Sequence, residues 1–299
     1  MKEIYLAGGC FWGVQKYFDL IDGVVSTTAG YANGHKLKPK YRDVCKGSGH
    51  AETVRIFYNP VILPLTKLLD YYYAIIDPTR ADGQANDIGH QYRPGIYYTD
   101  KNDGEIIIKS LEQLQEMYLG KIVVEALPLE NFTPAEEYHQ KFLDKNPFGY
   151  CHIPKEQLKK VEKESHNLSE RAYKIIKGEA TEPAFDNKYW NNWAPGIYVD
   201  VKTGTPLFSS KDKYEAECGW PSFTKPIIEA NVQCKMDFSH LMFRTEVRSK
   251  DSNNHLGHLF NDGPKECGGK RYCINSAALK FVPKEKMVEE GYADYLKYV

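Results

Sequence analysis

The chain predicts two successive domains of different class: an N-terminal α/β domain (α+β, sandwich-like), then a helical connector, then a C-terminal mainly antiparallel β domain. Three observations carry this. The 299 residues exceed one average domain of roughly 150. Strand-like apolar runs alternate with helix-period patterns in the first half. From Tyr189 onward, glycine, proline, asparagine and aromatic residues punctuate short β-type runs. No internal repeat relates the halves.

The elements follow in order. Glu3–Ala7 reads as a strand, Gly8-Gly9-Cys10 as a sharp turn, and Trp12–Ile21 as a helix with Val14, Tyr17, Phe18 and Ile21 at helical spacing. Thr53–Tyr58, Gly95–Thr99 and Val123–Leu127 read as strands, and Leu65–Ile76 and Ile106–Met117 as helices. Lys155–Ile176 is charged and helical in pattern, with Pro154 near its start and Gly178 as its stop, so it forms the connector and runs into the next domain. Short strands follow at Gly196–Val201, Pro206–Phe208, His240–Val247, His255–Phe260 and Ala277–Val282.

Composition excludes several classes. Lysine plus arginine (39) nearly cancels aspartate plus glutamate (40), which argues against nucleic acid or a membrane surface as partner. No apolar run approaches the roughly 20 residues that span a bilayer, and the start shows no secretory pattern, so the expectation is a cytoplasmic protein. Seven scattered cysteines, at 10, 45, 151, 218, 234, 267 and 273, are an odd number in a chain too long to need a disulfide framework. Free, reactive or buried thiols are expected.

Two constellations carry chemistry. In the first, Gly8-Gly9-Cys10-Phe11-Trp12-Gly13 puts a cysteine at a helix N-terminus, where unpaired N–H groups and the helix dipole favour thiolate. Taken alone, Cys10 reads more readily as a small buried residue in a turn than as a nucleophile. Gly49-His50-Ala51-Glu52 places a carboxyl just before an apolar strand, where burial keeps it protonated as an acid. Tyr41 to Cys45 and Asn86 to Arg93 add Tyr41, Asp87 and Tyr92, and Asn146 to Cys151 ends the segment with a second cysteine. In the second constellation, Cys218-Gly219-Trp220-Pro221 is followed by His255-Leu256-Gly257-His258, Asn261-Asp262-Gly263-Pro264 and Gly269 to Ser276. Arg271, two residues before Cys273, suits a thiolate, and a histidine supplies an acid near neutral pH. Singly, His255 and His258 read as structural histidines or metal ligands.

Together, the four ordered motifs of the first set resemble an A-type methionine sulfoxide reductase over about residues 3–153. The resemblance implies Cys10 as nucleophile, Glu52 as acid, Tyr41 and Tyr92 on the sulfoxide oxygen, Asp87 as organiser and Cys151 as resolving thiol. Phe11 and Trp12 would enclose the S-methyl group. The second set resembles a B-type methionine sulfoxide reductase. It implies Cys273 as nucleophile, His258 as acid, His255, Asp262, Arg271 and Asn275 as supporting groups, Trp220 on the S-methyl group and Cys218 as resolver. The domains implied are 1–154 and 168–299, with a linker at 155–167.

The chemistry needs a soft nucleophile for sulfur and a proton for oxygen, followed by condensation of a sulfenic acid with a second thiol. The resemblance implies one epimer of the sulfoxide per domain, oxidised peptides or proteins as substrates and external thioredoxin as reductant, with no bound cofactor. Many B-type relatives hold zinc on two C-x-x-C pairs. Here those positions read Asp200-Val201-Lys202-Thr203 and Ser249-Lys250-Asp251-Ser252, so no metal is expected. A thiol peroxidase or a redox sensor without turnover is the rival reading.

Overall fold

The computed structural model describes residues 1–238 and 243–299. The chain divides into two compact units, Met1–Ser165 and His166–Val299.

The first unit runs β1 (Lys2–Ala7), α1 (Phe11–Phe18), β2 (Val24–Ala32), α2 (Tyr41–Cys45), β3 (Ala51–Tyr58), α3 (Leu65–Tyr73), β4 (Gly83–Gln84), β5 (Asp87–Ile88), β6 (Gly95–Tyr98), α4 (Lys101–Glu116), β7 (Glu125–Pro128), β8 (Phe132–Pro134), α5 (Phe142–Lys145) and α6 (Lys155–Ser165). Six strands form one mixed sheet in the order β7-β6-β1-β3-β2-β8, with only the β6–β7 pair parallel. Helix α1 lies on β2 and β3 and buries Phe11, Val14, Tyr17 and Phe18 in the core with Leu6, Ile56 and Leu69.

Strand β2 has no counterpart in the sequence reading, and its residues explain why. Its sequence VVSTTAGYA is too small and polar to show an apolar alternation. The small side chains are required locally: a Cβ on Gly30 would stand 2.4 Å from the Phe132 ring of β8.

The helical run expected over Lys155–Ile176 is two helices. Asn167 takes a left-handed φ of 51° between them, and the Ser169 hydroxyl caps the second by accepting from Ala172 N–H at 3.1 Å. The first of the two, α6, is not a free connector. It buries Val161 in the first core, donates from Gln157 Nε2 to Ala74 O at 3.4 Å, and offers Ser165 Oγ to the Asp22 N–H.

The second unit contains α7 (Glu170–Ile176), β9 (Gly196–Asp200), β10 (Pro206–Ser209), β11 (Lys213–Tyr214), β12 (Ser222–Phe223), β13 (Val232–Asp237), β14 (Arg244–Ser249), β15 (His255–Phe260), β16 (Arg271–Ile274) and β17 (Leu279–Pro283). They form two antiparallel sheets, β10-β9-β17 and β11-β12-β16-β15-β14-β13. Tyr198, Phe208, Phe223, Leu256 and Ile274 fill the core, with Phe208 stacked on Phe223 at 4.5 Å. The strand expected over His240–Val247 begins at Arg244; residues 240–242 lie outside the described residues. Among the described residues, no helix is long and apolar enough to cross a membrane.

Candidate active sites

In the first unit, Gly9 at φ 81° makes the turn from β1 into α1, and its N–H donates to Tyr92 O at 3.0 Å. That bond carries the segment holding Asp87 and Tyr92 to the mouth of α1, where Cys10 is the N-cap. Glu52 reaches the same helix end from β3, and its Oε2 accepts from Phe11 N–H at 3.1 Å. Cys10, Glu52, Tyr41, Tyr92 and Asp87 thus interact electrostatically as one cluster. Phe11 is buried in the core, and Trp12 stacks on Phe142 at 3.8 Å and 12°.

Electrostatics here separate two sequence expectations. Glu52 is only 2 % exposed, and burial pushes its carboxyl up to about 8, so it is protonated at neutral pH as expected. Cys10 differs. The Trp12 and Gly13 N–H groups do favour its thiolate, but burial, and after it any charge on Glu52, push the thiol well above its ordinary range. Desolvation outweighs the helix terminus, because Cys10 is itself 7 % exposed. A neutral Glu52 removes the second of these opposing causes.

Sequence reasoning missed His139. Its Nδ1 accepts from Trp12 Nε1 at 3.1 Å, and its ring lies edge-on to Tyr41 at 4.8 Å. A lone histidine after Glu136-Glu137-Tyr138 offers no motif, so only the fold reveals it. Glu136 was likewise missed; its Oε1 accepts the Tyr41 N–H at 3.0 Å and its Oε2 the Tyr31 hydroxyl at 2.8 Å. Cys151 packs against the first turn of α1, where a Cβ on Gly13 would lie 3.2 Å from its sulfur.

In the second unit the cross-strand register aligns the site. Ser222, Cys273, His258 and Glu246 stand opposite one another on β12, β16, β15 and β14. Residues three apart on a regular strand face opposite sides, but an irregularity of β15 against β14 lets His255 and His258 share one face, their rings 5.3 Å apart. His255 Nδ1 bonds Glu246 Oε1 at 2.6 Å, and His258 Nε2 bonds Asp237 Oδ2 at 2.9 Å. Both carboxylates also meet an arginine, Arg248 and Arg244 respectively. Neither carboxylate was foreseen: Asp237 ends β13, whose weak sequence VQCKMD shows no strand signal, and Glu246 lies on the expected strand β14 but in no motif.

Cys273, His258, Asn275 and Trp220 line a cavity of about 150 Å³ with Thr181, Arg244 and Phe260. The Trp220 indole is fixed by donation to Glu182 O at 3.1 Å, and Asn275 by bonds to Leu256 O and the Glu182 N–H. Asp262 and Arg271 fall elsewhere: they are bidentately paired at 2.8 Å and, with Cys218, line a separate open groove of about 430 Å³. Cys218 bridges the two spaces, its sulfur 3.8 Å from that of Cys273. The Cys273 S–H, then Ser222, the Trp220 backbone and Arg271, lower the Cys218 thiol to about 5, while its hydrogen bond to Cys218, and then burial, push Cys273 far up. The two sulfurs thus share one hydrogen bond, and the Arg271 charge favours the thiolate of either. Cys45, Cys234 and Cys267 are exposed, and all seven cysteines are free. Among the described residues, no cluster of His, Cys, Asp or Glu is arranged to hold a metal.

Two unlike sites, each bringing two free thiols near a proton-bearing side chain, have the parts of a thiol-dependent oxidoreductase. Residues 2–170 match the family model described as peptide methionine sulfoxide reductase, and residues 168–283 match the SelR domain. The first match spans more than half of the chain, which therefore belongs to the peptide methionine sulfoxide reductase family, with an A-type domain fused to a B-type domain. Among solved structures, the reduced form of Mxr1 from Saccharomyces cerevisiae is 38% identical over 51% of this chain and 91% of its own, at TM-score 0.49. Methionine sulfoxide reductase A of Corynebacterium diphtheriae is 35% identical over 52% of this chain and 83% of its own, at TM-score 0.48. A further similar structure is Mxr1 in complex with Trx2, 30% identical over 47% of this chain and 84% of its own, at TM-score 0.35. The activity of the family is the reduction of methionine sulfoxide.

Proposed function

We propose that the chain reduces both epimers of methionine sulfoxide, the S form in the N-terminal domain (1–154) and the R form in the C-terminal domain (168–299). The observation that supports this best is the pair of non-superposable acid–thiol arrangements. A buried neutral Glu52 faces Cys10 across a helix end in one, and His258 stands opposite Cys273 across two strands in the other. A stereogenic sulfur presents its oxygen to an acid in only one configuration per pocket, so two geometries serve two epimers.

In the first domain Cys10 sulfur attacks the sulfoxide sulfur while Glu52 protonates the oxygen, assisted by the hydroxyls of Tyr41 and Tyr92. Methionine leaves and Cys10 retains the oxygen as sulfenic acid. Cys151 then displaces that oxygen as water, and the resulting disulfide takes two electrons from an external dithiol. In the second domain Cys273 attacks and His258 supplies the proton, oriented by Asp237. Cys218 receives the proton of Cys273, then closes the disulfide across the 3.8 Å gap. Mxr1 forms a complex with Trx2; for this chain we infer thioredoxin as the dithiol, oxidised peptides or proteins as substrates and no resident cofactor.

The test uses the two purified diastereomers with a dithiol. Cys10→Ser is expected to abolish reduction of the S-sulfoxide and spare the R-sulfoxide, and Cys273→Ser to do the reverse. Loss of both activities in either single mutant would refute the division.

A further inference from the structure

Beside Cys151 lies a buried imidazole that the reaction above does not use. His152 has a side chain only 2 % exposed, and its ring meets only the Gly8 backbone and Asp87 as polar neighbours, in loose geometry. Its Nδ1 stands 3.7 Å from Asp87 Oδ2, an oxygen that is also buried without a partner. Buried polar groups held this loosely are costly and rare, and an imidazole and a carboxylate together in one such place call for a function.

The surroundings say which. His152 packs against the N-terminus of α1, where a Cβ on Gly9 would meet its Nε2 at 2.8 Å and one on Gly13 its Nδ1 at 2.9 Å. The same Gly13 position is 3.2 Å from Cys151 Sγ. Two glycines thus admit an imidazole and a thiol to one small space over the helix turn that Cys10 caps. Asp87 interacts electrostatically with Cys10, Cys151 and His152 alike. On its other side His152 lines a cavity of about 440 Å³ with Asp77, Glu156 and Lys160.

We propose that His152, backed by Asp87, is the base of the resolving step, which takes the proton of Cys151 as its sulfur closes on oxidised Cys10. The proposal rests on the reductase reading above. The balance is simple. The Cys151 S–H bond breaks and its proton moves to the imidazole; Asp87 stabilises the imidazolium. The Cys151–Cys10 S–S bond forms as the Cys10 S–O bond breaks, and the imidazolium returns its proton to the departing oxygen, which leaves as water. Burial raises Cys151 above its ordinary thiol range and keeps the imidazole neutral, so a thiol that is slow to ionise stands beside a base that is free to accept.

The experiment uses the full chain carrying Cys273→Ser, mixed rapidly with one equivalent of S-sulfoxide and no reductant. Methionine release and loss of the Cys10 sulfenic acid, trapped with dimedone, are followed separately from pH 6 to 9. In this parent, the disulfide step is expected to be flat through neutral and alkaline pH and to fall only below the ordinary imidazole value of about 6.5, as the imidazole protonates. Added His152→Gln should slow the disulfide step about tenfold or more relative to methionine release at pH 7, and make it climb with pH as Cys151 ionises unaided. Asp87→Asn should slow it less. A parent whose disulfide step itself climbs about tenfold per pH unit to pH 9 would overturn the proposal without any variant of His152. So would His152→Gln lowering both steps by one factor with the profile unchanged, the mark of a packing role. A parent that releases no methionine would instead overturn the reductase reading, and the proposal with it.

Discussion

Glu52 is held at the start of β3 by a hydrogen bond from Phe11 N–H, and burial, with Asp87 nearby, opposes its charge. Its folded pKa of about 8 lies above the ordinary value of 4.5, so the sign of its linkage is fixed. Between those two values the folded state holds a proton that the unfolded chain has lost, and stability falls as pH rises through that window. The burial costs on the order of 4 kcal/mol at pH 8 and above, and none below about pH 4. Glu52→Gln is therefore expected to raise the melting temperature of the first unit at pH 8.5, and to leave it unchanged at pH 4. S-sulfoxide reduction should drop by about a hundredfold or more. In the unmodified chain the same activity should decline as pH rises past about 8. Calorimetry and a pH–rate profile check both. The acid was legible from Gly49-His50-Ala51-Glu52 because an apolar strand follows it directly. The protonation of the thiols was not, since it depends on how much solvent each sulfur loses, a three-dimensional quantity. Cys10 differs from the sequence expectation for that reason, whereas in the Cys218–Cys273 pair a shared hydrogen bond acts before burial.

At the scale of elements, β15 and β16 form the scaffold of the second site, and their register places His258 opposite Cys273. The approach is close: a Cβ on Gly257 would fall 2.0 Å from the Cys273 carbonyl oxygen, backbone that cannot step aside without breaking the pairing. Gly257→Ala is therefore expected to separate the two strands, lower the melting temperature of the second unit by several degrees and reduce R-sulfoxide reduction about tenfold or more, with S-sulfoxide reduction intact. Strands with an apolar alternation or aromatic content, such as β1, β3, β9 and β15, were legible in the sequence. Strands β2, β13 and β16 were not. Each owes its place to the strands it pairs with rather than to its own residues: β2 to the ring of Phe132, β13, at the sheet edge, to pairing with β14, β16 to sheet positions between β12 and β15. Helix α6 shows the converse. Its pattern was clear, but its destination was not, because a charged amphipathic helix does not state which core receives its narrow apolar stripe.

For the molecule as a whole, each unit must hold itself together by its own packing, and in the second unit one buried residue stands where many relatives have a metal site. Asp200, 1 % exposed at the end of β9, is one of the positions that read as replaced zinc ligands. Its Oδ1 accepts from the N–H groups of Lys202 and Thr203 at 2.8 and 3.2 Å and from Asn254 Nδ2 at 3.2 Å, and its Oδ2 accepts from Ser252 Oγ at 2.6 Å. Thr205 Oγ1 adds a bond to Asp251 Oδ2 at 2.6 Å. The β9–β10 turn and the β14–β15 turn are thereby tied by hydrogen bonds between the very segments that a tetrathiolate would clamp. A carboxylate already accepting from four protein donors is a poor ligand for an ion, and serine and threonine hydroxyls are poor zinc ligands. Protein purified without a histidine tag is expected to contain well under one zinc per chain by elemental analysis, and a chelator should leave its melting temperature unchanged. Asp200→Ala, by contrast, strands four donors at once and should destabilise the second unit by about 3 kcal/mol. A stoichiometric, chelator-sensitive zinc, or an Asp200→Ala variant as stable as its parent, would show that something other than this carboxylate joins the two turns.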